Sequence, residues 1–410
     1  MRDKLRGGDA MGTMISLDIG KFEIDYGKND YFYNHSALFQ NGDRKKILYF
    51  YSDDYTDIKY GYQKKLGLIK DRLDLLGFTI VSLKNAYEAI IKTKYELRGF
   101  LKFEQLAYFL KSIDISEIVA NGVDWSKNHP VGFGLMYLVN YKKFSKYLPK
   151  NFRKKRFDEE SYSYLPMYLL LRLLAENPKN HDFDVSWKIG DTIESGWVKW
   201  SDVKPKINEN QYVWIVTEGS SDSKVIQRAI NTLHPHVADI FRYIDMQENY
   251  PFTGTGELTK FFKGLAKIGV LNKMLFIFDN DTEGLAKYEE LTNLKERPAN
   301  LMVCHLPNMD CFNDFLTTGA TGEQRCNING KAVSIECFLD LSYGQPNPLI
   351  RWGGYNEKKN KYQGSLVNKD SYLREFTDSN LRTGNYDLSK INFLIKHIFS
   401  IIAPPHHLID

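Results

Sequence analysis

The stretch YVWIVTEGSSD, residues 212–222, decides how the chain folds. Its first six residues form an almost unbroken apolar run, as a strand buried on both faces requires. The run stops at Glu218-Gly219, and Asp222 stands four residues beyond the acid. A second run of this kind, MLFIF at Met274–Phe278, stops at Asp279-Asn280-Asp281, with Glu283 two residues further on. Amphipathic spacing predicts helices over Ser223–Leu233, Glu257–Ile268 and Gly284–Leu294, and shorter apolar runs predict strands at Phe241–Ile244 and Asn300–Leu306. Strands alternating with helices in this way predict an α/β fold, a mostly parallel sheet between helices.

Upstream the pattern changes. Alternating Ile15, Leu17 and Ile19, then Phe22, Ile24 and Tyr26, predict a hairpin turning at Gly20-Lys21, and KKILYFY predicts another strand. From Tyr60 to Leu110 the spacing reads as helical, and further helices are expected near 134–148 and 161–175. Pro178, Gly190, Gly196 and Pro205 mark 177–210 as loop-rich. The expected organisation is an α+β, largely helical N-terminal domain over 1–205, an α/β domain over 206–325, and a C-terminal extension over 326–410. Residues 1–10 read as an upstream start or a loose arm.

Several classes are excluded. A chain of 410 residues with 43% hydrophobic and 26% charged content is neither disordered, collagen-like nor a small disulfide-stapled module. The net charge of +4 is too small to argue for nucleic acid alone. The four cysteines, at 304, 311, 326 and 337, lack zinc-hook spacing and read as reduced thiols in a cytoplasmic setting. Residues 164–175 are apolar but interrupted by Arg172 and too short to span a bilayer, so no membrane association is expected. His305, His406 and His407 form no ligand pattern.

The chemistry lies where the two buried runs end. In an open parallel sheet, sites form beyond the carboxyl ends of the strands. Two strands would deliver Glu218 and Asp222, and Asp279 and Asp281, to one edge, with Glu283 nearby. Clustered carboxylates repel one another unless a hard cation sits among them, and Mg²⁺ or Mn²⁺ is the natural choice. The bland reading of an Asp-x-Asp after a strand is turn and helix-cap chemistry.

These residues resemble a Toprim domain, the module shared by topoisomerases, bacterial primases, OLD-family nucleases and small recombination proteins. Glu218, Asp279 and Asp281 match its acidic positions, Glu218-Gly219-x-x-Asp222 resembles the OLD-type branch, and Gly254 and Gly256 match its small-residue turn. MGTMISLDIG, LFQNGD, NGKAVSIECFLD, RWGGY and YQGSLVNK resemble bacterial HEPN/Toprim-associated proteins. The resemblance implies a metal-dependent endonuclease acting on DNA or RNA, tRNA included, in antiviral defence. It also implies a separate ATPase partner, because no GxxxxGK[ST] phosphate loop occurs here. Topoisomerase- or primase-like activity, or an inactive nucleic-acid-binding module, are the alternatives, and a homo-oligomer is left open. The Arg-and-His motif of HEPN ribonucleases finds only Arg172 and His181, set apart by Pro178, so ribonuclease chemistry is not assigned to this half.

By the same resemblance, Glu336 is the best late acid for a second metal and Lys369 the best late base for transition-state charge, with Asp310 and Asp314 as weaker acids. An exposed helix position and a surplus surface lysine are their ordinary readings. The run YKKFSKYLPKNFRKKRF, 141–157, offers Lys142, Lys143, Arg153, Lys154, Lys155 and Arg156 to phosphates and interleaved rings to bases. Its ordinary reading is a solvated helix end with aromatics in the core.

Overall fold

The structure is a computed structural model that describes residues 13–52, 55–94, 100–120, 134–154, 165–244, 254–343, 347–356, 361–381 and 384–404. The chain divides into two compact units, the first running to Ile207 and the second over Asn208–Pro405.

The first unit holds β1 (Met14–Ile19), β2 (Phe22–Lys28), β3 (Arg44–Ser52), β4 (Tyr55–Lys65) and β5 (Asp184–Lys188). Its helices are α1 (Leu66–Leu75), α2 (Ile80–Lys94), α3 (Phe103–Lys111), α4 (Ile115–Ala120), α5 (Gly134–Asn140), α6 (Leu169–Leu174) and α7 (Gly190–Glu194). The strands form one sheet in the order β2-β1-β5-β4-β3, every pair antiparallel. Ile15, Leu17 and Ile19 alternate onto the buried face, as the hairpin reading requires.

Two expectations fail here. Tyr60–Lys65 is strand rather than helix, and helix begins only at Leu66. The loop-rich stretch 177–210 contains β5, which inserts between β1 and β4. Trp187 on β5 is fully buried, stacked on Phe39 at 6.4 Å and on Tyr62 at 6.0 Å. Glycine and proline flank β5 closely enough to mask a five-residue strand whose selection comes from that tertiary packing.

The second unit opens with β6 (Val213–Thr217), α8 (Ser220–Leu233), β7 (Phe241–Ile244), α9 (Thr255–Ile268), β8 (Lys273–Phe278), β9 (Asn280–Asp281), α10 (Thr282–Thr292) and β10 (Leu301–His305). It continues with β11 (Phe315–Gly319), β12 (Gly322–Cys326), β13 (Ala332–Val333), β14 (Ile350–Asn356), β15 (Lys361–Leu366), α11 (Lys369–Asp378) and α12 (Ser389–Ile402). β10, β8, β6 and β7 lie in that order as a wholly parallel sheet. Phe276 and Phe278 face Leu258 and Phe262 of α9 and Leu291 of α10. The opposite face is covered by α8 and α12, with Phe399 stacked on Phe241 at 5.5 Å. Mixed α/β content around a parallel sheet thus follows the alternation read from the sequence. A second sheet, in the order β12-β11-β14-β15, and the short pair β9–β13 complete the unit. Among the described residues no helix is long and apolar enough to cross a membrane.

Candidate functional site

The parallel sheet reverses its winding between β6 and β8. From β6 the chain moves outward to β7, then returns across β6 to β8 and continues to β10. Such a reversal opens a crevice beyond the strand ends. Glu218 follows β6 and Asp279 follows β8, so the two neighbouring central strands each place a carboxylate at that crevice. The Asp279 backbone N–H donates to Glu218 Oε1 at 3.3 Å.

Local sequence fixes each acid. After β6, Thr217 Oγ1 donates to the Gly219 carbonyl at 2.7 Å, and the Gly219 N–H donates to Asp222 Oδ2 at 3.3 Å. This holds Asp222 in the first turn of α8. After β8, Asp281 Oδ1 accepts the Gly284 N–H at 2.8 Å and caps α10. The helix-cap reading therefore holds for Asp281, but not for Asp279, whose carboxylate accepts no hydrogen bond among the described residues. Gly284 allows the fold back: a Cβ there would stand 2.3 Å from the Asp279 carbonyl oxygen. The Thr255 hydroxyl donates to Glu283.

The late residues arrive by a separate route. β13 pairs with β9, Val333 opposite Asn280, which carries the following turn to the same edge. Glu336 on that turn is buried, not at an exposed helix position. It accepts from Ser334 Oγ at 2.5 Å and lies 3.6 Å from Lys369 Nζ at the start of α11. Glu336 also pushes the Asp222 carboxyl upward, while Lys369 opposes that push. Glu218, Asp222, Asp279, Asp281, Glu283, Glu336 and Lys369 thus share one electrostatic neighbourhood. Asp310 caps nothing there and begins a separate 3₁₀ turn, and Asp314 is tied to Arg325 at 2.9 Å.

Burial and mutual repulsion dominate the electrostatics. Glu218 is pushed up to about 8, first by burial and then by Asp281, Asp222 and Glu283, against the Asp279 N–H. Asp222 is pushed up to about 6 by burial and Glu336. Asp279 stands well above the ordinary carboxylate range, from burial and from Asp222, Glu218 and Asp281. Burial also raises Asp281. Burial pulls the Lys369 ammonium down, but Glu336, Asp279 and Asp222 outweigh it and hold the group above its usual value. The donor set is all oxygen, carboxylate-rich and partly desolvated, which suits a hard divalent cation. As the side chains stand, no three His, Cys, Asp or Glu groups among the described residues converge on one ion position. A cavity of about 480 Å³ opens elsewhere, beside α8, lined by Lys224, Arg228, Asn231 and Ser379 among others.

Sequence reasoning missed Gln363 of β15. Its side chain donates to Asp281 Oδ2 and accepts the Thr282 N–H at 3.1 Å, gripping the acidic loop from across the unit. A lone Gln in a strand carries no signal of such a role.

Two cations of the basic run in the first unit have partners within the fold. Lys143 pairs with Glu117 at 3.4 Å, and Arg153 donates to the Leu148 and Lys146 carbonyls. Lys142 and Lys154 are exposed. Phe144 and Phe152 are buried, and Tyr141 and Tyr147 pack on the core, so these rings do not stand free to stack on bases. Lys155 and Arg156 lie outside the described residues. Arg172 is buried against Asp74 at 2.7 Å and Glu176 at 2.5 Å, and His181 bonds the Ala175 carbonyl, so both are structural.

No curated protein and no solved structure matches the chain. Residues 11–211 match the family described as HEPN/Toprim N-terminal domain 1, a match that covers the first unit's sheet and helices and supports a HEPN/Toprim-associated protein.

Proposed function

We propose that the chain is a divalent-metal-dependent, Toprim-type nuclease that hydrolyses phosphodiester bonds in nucleic acid. The observation that carries this reading is the set of carboxylates from two adjacent strand ends at the switch point of a parallel sheet. Glu218, Asp222, Asp279 and Asp281 would hold Mg²⁺ or Mn²⁺, with Glu283 outside them. Such an ion, when bound, polarises a phosphoryl oxygen and lowers the pKa of a bound water. Glu218 would either join the ligands or, as general base, take the proton from the attacking water. Lys369 keeps its charge and neutralises the negative charge that develops on the phosphate. Glu336 steers Lys369 through their ion pair. The match to HEPN/Toprim N-terminal domain 1 and the Toprim resemblance favour a bacterial defence role with a separate ATPase as controller.

The test is cleavage of plasmid, single-stranded DNA and total tRNA by purified protein with Mg²⁺, Mn²⁺ or EDTA. Cutting is expected only with the ion and is lost in Asp279→Ala. Relaxation without cutting would replace the nuclease with a topoisomerase. Binding without chemistry, unchanged by Glu218→Gln, would leave an inactive module.

A further inference from the structure

The ribbon formed by β14 and β15 carries an exposed aromatic face that nothing in the proposed chemistry uses. Tyr355 stands opposite Tyr362, their ring centroids 4.9 Å apart, and Trp352 lies 6.4 Å from Tyr362. Trp352 is opposite Gly364, so the three rings share one face of the ribbon. Gly364 makes room for the indole: a Cβ there would come within 2.8 Å of a Trp352 ring carbon. Tyr355 is 46% exposed and Tyr362 55%. Toward the base of the ribbon this face is core, with Ile350 and Leu366 buried. Further along the ribbon the same face carries the exposed rings of Tyr355 and Tyr362.

The ribbon is fastened to the acidic loop. Gln363 holds Asp281 and the Thr282 N–H, and Thr282 Oγ1 donates to the Tyr362 carbonyl at 3.1 Å. The backbone that carries the Tyr362 ring is therefore bonded to the residue next to Asp281. Arg351, beside Trp352, is exposed, and strand alternation sets it on the face opposite the rings. A row of rings and a neighbouring phosphate-directed site fit a nucleic-acid strand better than an apolar protein surface. Rings accept bases only when those bases are not already stacked and paired in a duplex.

We infer that the β14–β15 ribbon is a stacking platform for unpaired bases, and that the substrate is single-stranded or locally melted nucleic acid. The choice of ligand rests on the nuclease reading. The platform itself can be tested without catalysis.

Binding of labelled oligothymidylate, oligouridylate and a duplex of equal length to the full chain is measured by fluorescence anisotropy in EDTA. The single strands are expected to bind more tightly than the duplex. Tyr355→Ala and Tyr362→Ala are each expected to weaken single-strand binding about tenfold, while Tyr355→Phe keeps it. Thermal melting of each variant checks that the fold is retained. Equal binding of duplex and single strand, no binding of any strand, or wild-type affinity in both Ala variants would overturn the inference. So would a concentration-dependent dimer that Tyr355→Ala dissolves without changing strand binding. Single-strand binding that depends on the rings, alongside no cutting of any substrate, would sink the nuclease reading and leave the platform standing.

Discussion

Asp279 is where the second unit stores its electrostatic tension. Its carboxylate accepts no hydrogen bond among the described residues, and burial with Asp222, Glu218 and Asp281 raises it well above the ordinary range. A group whose folded value lies above its unfolded value supports stability at low pH and loses that support as pH rises through the folded value. Glu218, at about 8, and Asp222, at about 6, act in the same sense, so the cation-free chain should lose stability from about pH 5 to pH 8. Asp279→Asn should raise the melting temperature by about 2–4 °C at pH 8, with the gain shrinking toward pH 5. Mn²⁺ should stabilise the wild type more than this variant, and scanning calorimetry across pH, with and without the ion, checks both. Gln363 acts at the same scale but through Asp281. Gln363→Ala should raise the Mn²⁺ concentration needed for half-maximal cutting by about 10–100-fold, read from a metal titration of the cleavage assay. Glu218 and Asp279 were legible in the sequence because each follows a buried apolar run. Gln363 was not, because its partner lies on another element and only the fold joins them.

At the scale of elements, the β1–β2 hairpin contains a conflict between like charges. Asp18 stands opposite Glu23, an arrangement that weakens an antiparallel pair. Lys188 of β5 relieves it by pairing with Asp18 at 2.9 Å. Glu23 is nevertheless pushed up to about 7, first by burial and then by Asp18 and Asp25. Its contribution to stability is present below its ordinary value and is lost as pH rises through about 7. Glu23→Gln should therefore raise the melting temperature by roughly 2 °C at pH 8 and barely change it at pH 4.5, measured by thermal melts at the two values. The hairpin itself could be read from its alternating residues. The strand identity of Tyr60–Lys65 could not, because Tyr, Gln and Lys there carry neither period cleanly and pairing with β3 and β5 decides the matter. β5 was hidden for the same reason: Asp184–Lys188 is too short to declare itself, and its Trp187 gains its place from Phe39 and Tyr62.

At the scale of the whole molecule, each unit has an apolar core of its own among the described residues. One surrounds Trp187 in the first unit, and the other fills the space between the parallel sheet and α9 and α10. A unit with its own core can unfold on its own. Calorimetry should resolve two transitions that can be moved one at a time. Arg172→Ala leaves Asp74 without its buried ion-pair partner while Glu176 keeps Lys70 at 3.1 Å, a loss of about 3 kcal/mol that should lower one transition by roughly 6–10 °C. Asp279→Asn should leave that transition in place and shift the other. A single transition displaced by both variants would show that the units unfold together.

The central position of β5 has a consequence for the chain as it emerges from the ribosome. β1–β2 and β3–β4 are local hairpins and can form as soon as they are made, but they remain two unjoined ribbons until Asp184–Lys188 has been synthesised. During that interval β1 and β4 each present an open edge where β5 will later sit, and Phe39 and Tyr62 lack the indole that covers them. An unpaired edge beside uncovered rings is a target for mispairing between nascent chains. Translation that pauses before residue 184 should therefore leave a chain dependent on chaperones, whereas one released just beyond Ile207 has everything its first sheet requires.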